Sequence, residues 1–158
     1  MQLHGWCDAD WGGCEATSRS TTGFVLHMHG GPIAWKSCLH NSVAGSSCEA
    51  EYMSAYLAVQ HTLNLRNLLA EIGFPQLAPT PLQEDNEGAI FVAGNDVTAG
   101  KLRHVRRRYH AVREQVSTFK TVVLVPCSTE HMVADVLTKA LPHPRFGALA
   151  RRALGAPP

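Results

Sequence analysis

The sequence predicts an α/β protein built on a mixed five-stranded sheet, its first three strands antiparallel, with helices packed against it. Three observations carry this. Three strand-like stretches near the start are joined by short, turn-rich links, as in a meander. One uninterrupted helical pattern follows, from Ser46 to Ile72. Two later apolar runs, "PTPLQED" and "TVVLV", are separated by helical patterns, giving the order β-β-β-α-β-α-α-β-α.

Each element has its own justification. Residues 2–11 alternate, with Leu3, Gly5, Cys7 and Ala9 on one side and His4, Trp6, Asp8 and Asp10 on the other. "GFVLHM" and "IAWKS" read as strands around the turn "HGGP". Ser46 with Glu49 three residues on is a capping-box signature, and Gly73 then Pro75 stop the long helix. Asn86 caps a short helix, "EGAIFVA". Residues 101–118 form a helix with Val105, Tyr109, Val112 and Val116 on one face. "CSTEHMVADVLTKAL" reads as a last helix capped by Ser128 or Thr129. Beyond it, the Pro-, Ala-, Arg- and Gly-rich end is expected to fray, so the domain is placed at 1–141 with a loose tail at 142–158.

The composition excludes several function classes. With 158 residues, 45% hydrophobic and 17% charged, the chain suits one globular domain. A net charge of +1 argues for no particular partner, but six of the 14 Lys and Arg fall between Lys101 and Arg113. The five cysteines form no C-x-x-C pair, which points to reduced thiols inside a cell rather than zinc. No apolar run approaches the ~18 residues of a membrane span.

Four acids sit in unusual places. Asp8 lies mid-strand. Glu51 shares a helical stripe with Ala55, Ala58, Thr62, Leu65 and Leu69. Asp85 ends a strand, and Asp135 adjoins the apolar arc of Met132, Val133, Val136 and Leu137. Each has a plain reading: Glu51 reaching solvent near a helix end, Asp85 as a cap, Asp135 as a solvated residue. Only Asp135 has a lysine at helical spacing, Lys139. Gathered in one place, such acids would repel each other without a cation, and oxygen-only donors suit Mg²⁺ or Mn²⁺.

These residues carry a resemblance. "CDADWGG", "RSTTGFVLHMHGGPIAWKS", "SSCEAEYMSAYLAVQHTLNLRNLLAEIG", "EDNEGAIFVA", "RHVRRRYHAVRE" and "ADVLTKALP", in that order, resemble the ribonuclease H domain of copia-type LTR retrotransposon Pol polyproteins. The resemblance implies a ribonuclease H-like fold with helices on both faces of the sheet. It implies a two-metal endonuclease that hydrolyses the RNA strand of RNA–DNA hybrids during reverse transcription. Asp8, Glu51, Asp85 and Asp135 match the family's carboxylates and would be catalytic ligands for two Mg²⁺ or Mn²⁺ ions. Asp10, on the same strand face as Asp8, is the rival candidate.

Substrate contacts follow from a basic stripe. Arg103, Arg106, Arg107, His110 and Arg113 fall within about a third of a helix circumference, away from the apolar face. They are expected to meet phosphates of the hybrid. The family motif has an acid where this chain has Arg106. The family also places a reverse transcriptase domain upstream, and this chain begins at the first strand. The alternative reading is therefore a truncated or domesticated relic that binds nucleic acid without cutting it. The expected setting is the cytoplasm (a virus-like particle in the parent element) or the nucleus, with no membrane association.

Overall fold

The computed structural model describes residues 2–95 and 106–156, and of Arg106 and Arg107 the backbone alone. Strands β1 (His4–Asp10), β2 (Thr21–Met28) and β3 (Gly31–Leu39) form the expected antiparallel meander. His29 and Gly30 make the tight turn between β2 and β3, both at positive φ of 55° and 84°. That pairing is the mirror-image turn whose twist matches the flanking strands. Helix α1 (Ser47–Glu71) then crosses to β4 (Thr80–Glu84), which runs parallel to β1. Strand β5 (Val122–Pro126) lies parallel to β4, so the sheet order is β3-β2-β1-β4-β5.

Strand alternation divides the core into two layers. Cys7, Phe24, Leu26 and Leu82 pack against Tyr52, Ala55 and Val59 of α1. Ala89 and Ala93 of α2 (Glu87–Gly94) and Tyr109 and Val112 of α3 (Arg106–Arg113) complete that layer. Trp6 and Val25, one residue out of phase, belong to the other layer with Met132, Val133 and Ala134. Helices therefore cover both faces, as expected.

The caps form as read. Ser46 accepts a hydrogen bond from Glu49 N at 3.1 Å, and Asn86 accepts one from Ala89 N at 3.0 Å. Glu49 reaches back to Gly45 N at 2.9 Å rather than to the cap residue itself. Over the described residues the expected helix is present as α3 and reaches its expected end at Thr118. It passes at Glu114 into a wide π-turn that ends at Thr118, while Arg103 and Val105 lie outside the described residues.

Two expectations fail. The last helix is instead two short 3₁₀ turns, Thr129–His131 and Val133–Leu137, with Met132 extended between them. Four consecutive residues, Met132 to Asp135, are fully buried. The extended Met132 between the two turns breaks the run of helical backbone that the apolar spacing predicts. The candidate cap hydroxyls are also engaged elsewhere, Thr129 with Asp85 and Ser128 with His131. The supposed tail is the second failure. Residues His143–Ala153 form helix α4, with Leu149 buried at 2% exposure and His27 Nε2 2.9 Å from Ala153 O. Phe146, Leu149, Ala150 and Ala153 stand at i, i+3, i+4 and i+7, a helical pattern that the composition obscured.

Candidate active site

The site forms where β1 and β4 end side by side and α1 begins above them. Asp8 sits in β1 opposite Gly23 of β2. Helix α1 is fastened there twice: Ala9 N donates to Glu51 Oε2 at 2.8 Å, and Ser54 Oγ donates to Asp8 O at 2.7 Å. Asp85 follows β4 directly, and Thr129 Oγ1 donates to its Oδ2 at 2.9 Å. One oxygen from each of Asp8, Glu51 and Asp85 lies within 4.8 Å of the others. Three acids from a strand, a helix and a strand end thus converge.

Burial decides between the plain readings and the sharp ones. Glu51 is 7% exposed, so it does not reach solvent as a helix-end glutamate would. Burial, then the charges of Glu84, Asp8 and Asp85, push its carboxyl up to about 10. Asp8 is pushed up to about 6, chiefly by burial and against the pull of Lys139 and Thr138. For both groups the loss of hydration on burial is the largest cause, and the neighbouring acids add to it.

Asp135 behaves differently. It is fully buried rather than solvated, and it is outside the three-acid cluster. Lys139 Nζ lies 2.8 Å from its Oδ1, and Arg145 of α4 pairs with its Oδ2. Lys139 also stands 3.5 Å from Asp8 Oδ1, while Thr138 Oγ1 donates to Asp8 Oδ2. Asp10, the rival to Asp8, accepts from Thr21 N and closes the end of the β1–β2 ladder.

Sequence reasoning missed several neighbours. Glu84 is fully buried, and burial raises its carboxyl well above the usual range. Its place two residues after Leu82 was the available signal, since alternate strand residues share a face. Thr138 and Arg145 had no local signal, because they meet Asp8 and Asp135 only through the tertiary fold. Of the basic stripe, His110 is exposed and Arg113 stacks 5.5 Å over the Tyr109 ring. Arg103 and the side chains of Arg106 and Arg107 lie outside the described residues.

The chain is 33% identical over 152 residues, 96% of its length, to the retrovirus-related Pol polyprotein from transposon RE2 of Arabidopsis thaliana. It is 33% identical over 144 residues, 91% of its length, to that from transposon TNT 1-94 of Nicotiana tabacum. The chain is homologous to one segment of copia-type retrotransposon Pol polyproteins. It spans 10% and 11% of those two Pol polyproteins. The chain has the ribonuclease H fold. A solved RNase H1 isolated from compost superimposes with a TM-score of 0.62 at 14% identity, covering 87% of this chain and 92% of that one. The same enzyme in complex with an RNA/DNA hybrid matches with a TM-score of 0.59 at 13% identity, covering 87% and 94%. No family model matches the chain. Among the described residues no helix is long and apolar enough to cross a membrane.

Proposed function

We propose that this chain is a metal-dependent endoribonuclease that hydrolyses the RNA strand of RNA–DNA hybrids. The observation that carries the reading is the convergence of Asp8, Glu51 and Asp85 within 4.8 Å. The donor set fits a hard divalent cation: it is all oxygen, with no His or Cys in the cluster. Two of its carboxyls are pushed up by burial and mutual repulsion, a strain that a bound cation relieves. A divalent cation held there would lower the pKa of a water and offset charge on the scissile phosphate.

The chain's own groups do the positioning. Ala9 N fixes the Glu51 carboxylate against β1, and Ser54 fixes the backbone of Asp8. Thr129 fixes Asp85 from the loop after β5. Carboxylates held this way do not have to reorganise when substrate arrives. Hybrid recognition would rest on Arg103, Arg106, Arg107, His110 and Arg113 contacting phosphates and on the shape of the A-like duplex. In a polyprotein setting inside the cell, a reverse transcriptase upstream would supply the hybrid.

The test is cleavage of a fluorescent hybrid in Mg²⁺ by the parent chain and by Asp85→Asn. The parent should cut the RNA strand and the variant should not. Hybrid binding by the parent without Mg²⁺-dependent cutting would replace this reading with that of a binding relic.

A further inference from the structure

Asp135 is the acid that the three-carboxylate cluster leaves out, and it has company. Lys139 Nζ bridges it at 2.8 Å to Asp8 Oδ1 at 3.5 Å. Arg145 Nη2 pairs with its other oxygen and donates to Thr129 O at 2.8 Å. Glu51 and Asp85 have no such cation within ion-pair distance among the described residues.

We propose that Lys139 is a built-in cation of the active site, so that the chain holds one divalent ion on Asp8, Glu51 and Asp85 and not two. The proposal rests on reading that cluster as a metal site. Four carboxylates bring four negative charges, and Lys139, Arg145 and one divalent ion match them. With three acids committed to one ion, Asp135 is the remaining acid of the four for a second. To reach it, a second ion would have to stand against the Lys139 ammonium, 2.8 Å from Asp135 Oδ1, and like charges at contact distance repel.

The pair differs from an ordinary surface i, i+4 contact, which contributes little. Asp135 is fully buried, so it cannot be left without a counter-charge. Lys139 also ties Asp8 of β1 to Asp135 of the 3₁₀ turn, acids 127 residues apart in sequence. Thr138, its neighbour, takes the second oxygen of Asp8. Both oxygens of Asp8 are thus engaged, Oδ2 by Thr138 and Oδ1 by the Lys139 ammonium.

Mn²⁺ binding by titration calorimetry decides the matter, run on the parent chain, Lys139→Gln, Lys139→Arg and Asp85→Asn. The parent and Lys139→Arg should take up one Mn²⁺ per chain. Lys139→Gln should gain a second, bound on the order of tenfold more tightly than any second ion in the parent. Two comparable Mn²⁺ ions in the parent, or a single ion still in folded Lys139→Gln, would overturn the proposal. No Mn²⁺ bound by either the parent or Asp85→Asn would instead remove the metal-site reading, and this proposal with it. Should Lys139→Gln not fold, Mn²⁺-soaked crystals of the parent give the same decision. One anomalous peak with Lys139 between Asp8 and Asp135 supports the proposal, and a second peak with Lys139 displaced sinks it.

Discussion

The amide of Ala9 donates to Glu51 Oε2 over 2.8 Å, which ties the first turns of α1 to β1 one residue beyond Asp8. That single bond is the main compensation given to a carboxylate in a site that disfavours its charge. Folding raises the carboxyls of Asp8 and Glu51 to about 6 and about 10. The sign then follows. Stability from these groups is full below about pH 4, where both are protonated folded or unfolded, and is lost as pH rises through the raised values. In EDTA the melting temperature should fall between pH 5 and pH 9. Millimolar Mg²⁺ should reduce that fall, because binding stabilises the folded state. Glu51→Gln should flatten the slope and raise metal-free stability at pH 8 by about 1–3 kcal/mol, while abolishing cleavage. Calorimetric melts across the pH range check this; a steeper slope in Glu51→Gln would contradict it.

Gly23 faces Asp8 across the β1–β2 ladder and lies under the second 3₁₀ turn. A Cβ there would stand 2.6 Å from Thr138 Cγ2, 2.9 Å from Leu137 Cβ and 3.0 Å from Ala134 O. The missing side chain is what lets Thr138 and Lys139 reach Asp8. Gly23→Ala should destabilise the fold by about 1–3 kcal/mol through overpacking and lower cleavage as well. Gly94→Ala, where a Cβ meets nothing within 4 Å, is the matched control and should be near neutral. Urea unfolding of the two variants separates a local clash from a general intolerance of substitution.

The parts of the fold that were legible in the sequence are those decided locally. Ser46, Asn86, Gly73 and Pro75 punctuate their helices by hydrogen bonds and backbone preferences within a few residues, and the structure follows them. Strand faces were legible too, since Trp6 and Cys7 must point to opposite layers. The convergence of Asp8, Glu51 and Asp85 was visible as acids where apolar or turn residues belong. The segment around Asp135 was not. Met132, Val133, Val136 and Leu137 have helical spacing, and only the tertiary fold shows that Met132 to Asp135 are buried in succession. Arg145 lies ten residues from Asp135 and in a separate helix, so no periodicity argument pairs them.

The α3 face makes a separate prediction about substrate affinity. Arg113 is held over Tyr109 and His110 is exposed beside it. A guanidinium braced on a ring loses less freedom on meeting a phosphate than a free one. Arg113→Gln should weaken hybrid binding uniformly across sequences and lower the slope of log affinity against log salt by about 1. Fluorescence anisotropy over a salt series reads both. An unchanged slope would mark this face as merely solvated.

Helix α4 gives the last prediction, because it joins packing to the site. Leu149 is buried, Ala153 O meets His27, and Arg145 neutralises Asp135. Ending the chain after Pro142 removes all three at once and leaves Asp135 buried with Lys139 as its one cation. The truncated chain should lose about 3–5 kcal/mol, seen as a lower urea midpoint; a loose tail would leave the midpoint where it was. Two full-length variants divide the loss. Leu149→Ala removes packing and should cost about 2–5 kcal/mol without altering Mn²⁺ binding. Arg145→Gln leaves the packing in place and removes half of the charge balance of Asp135, so it should lower the urea midpoint by less than the truncation does.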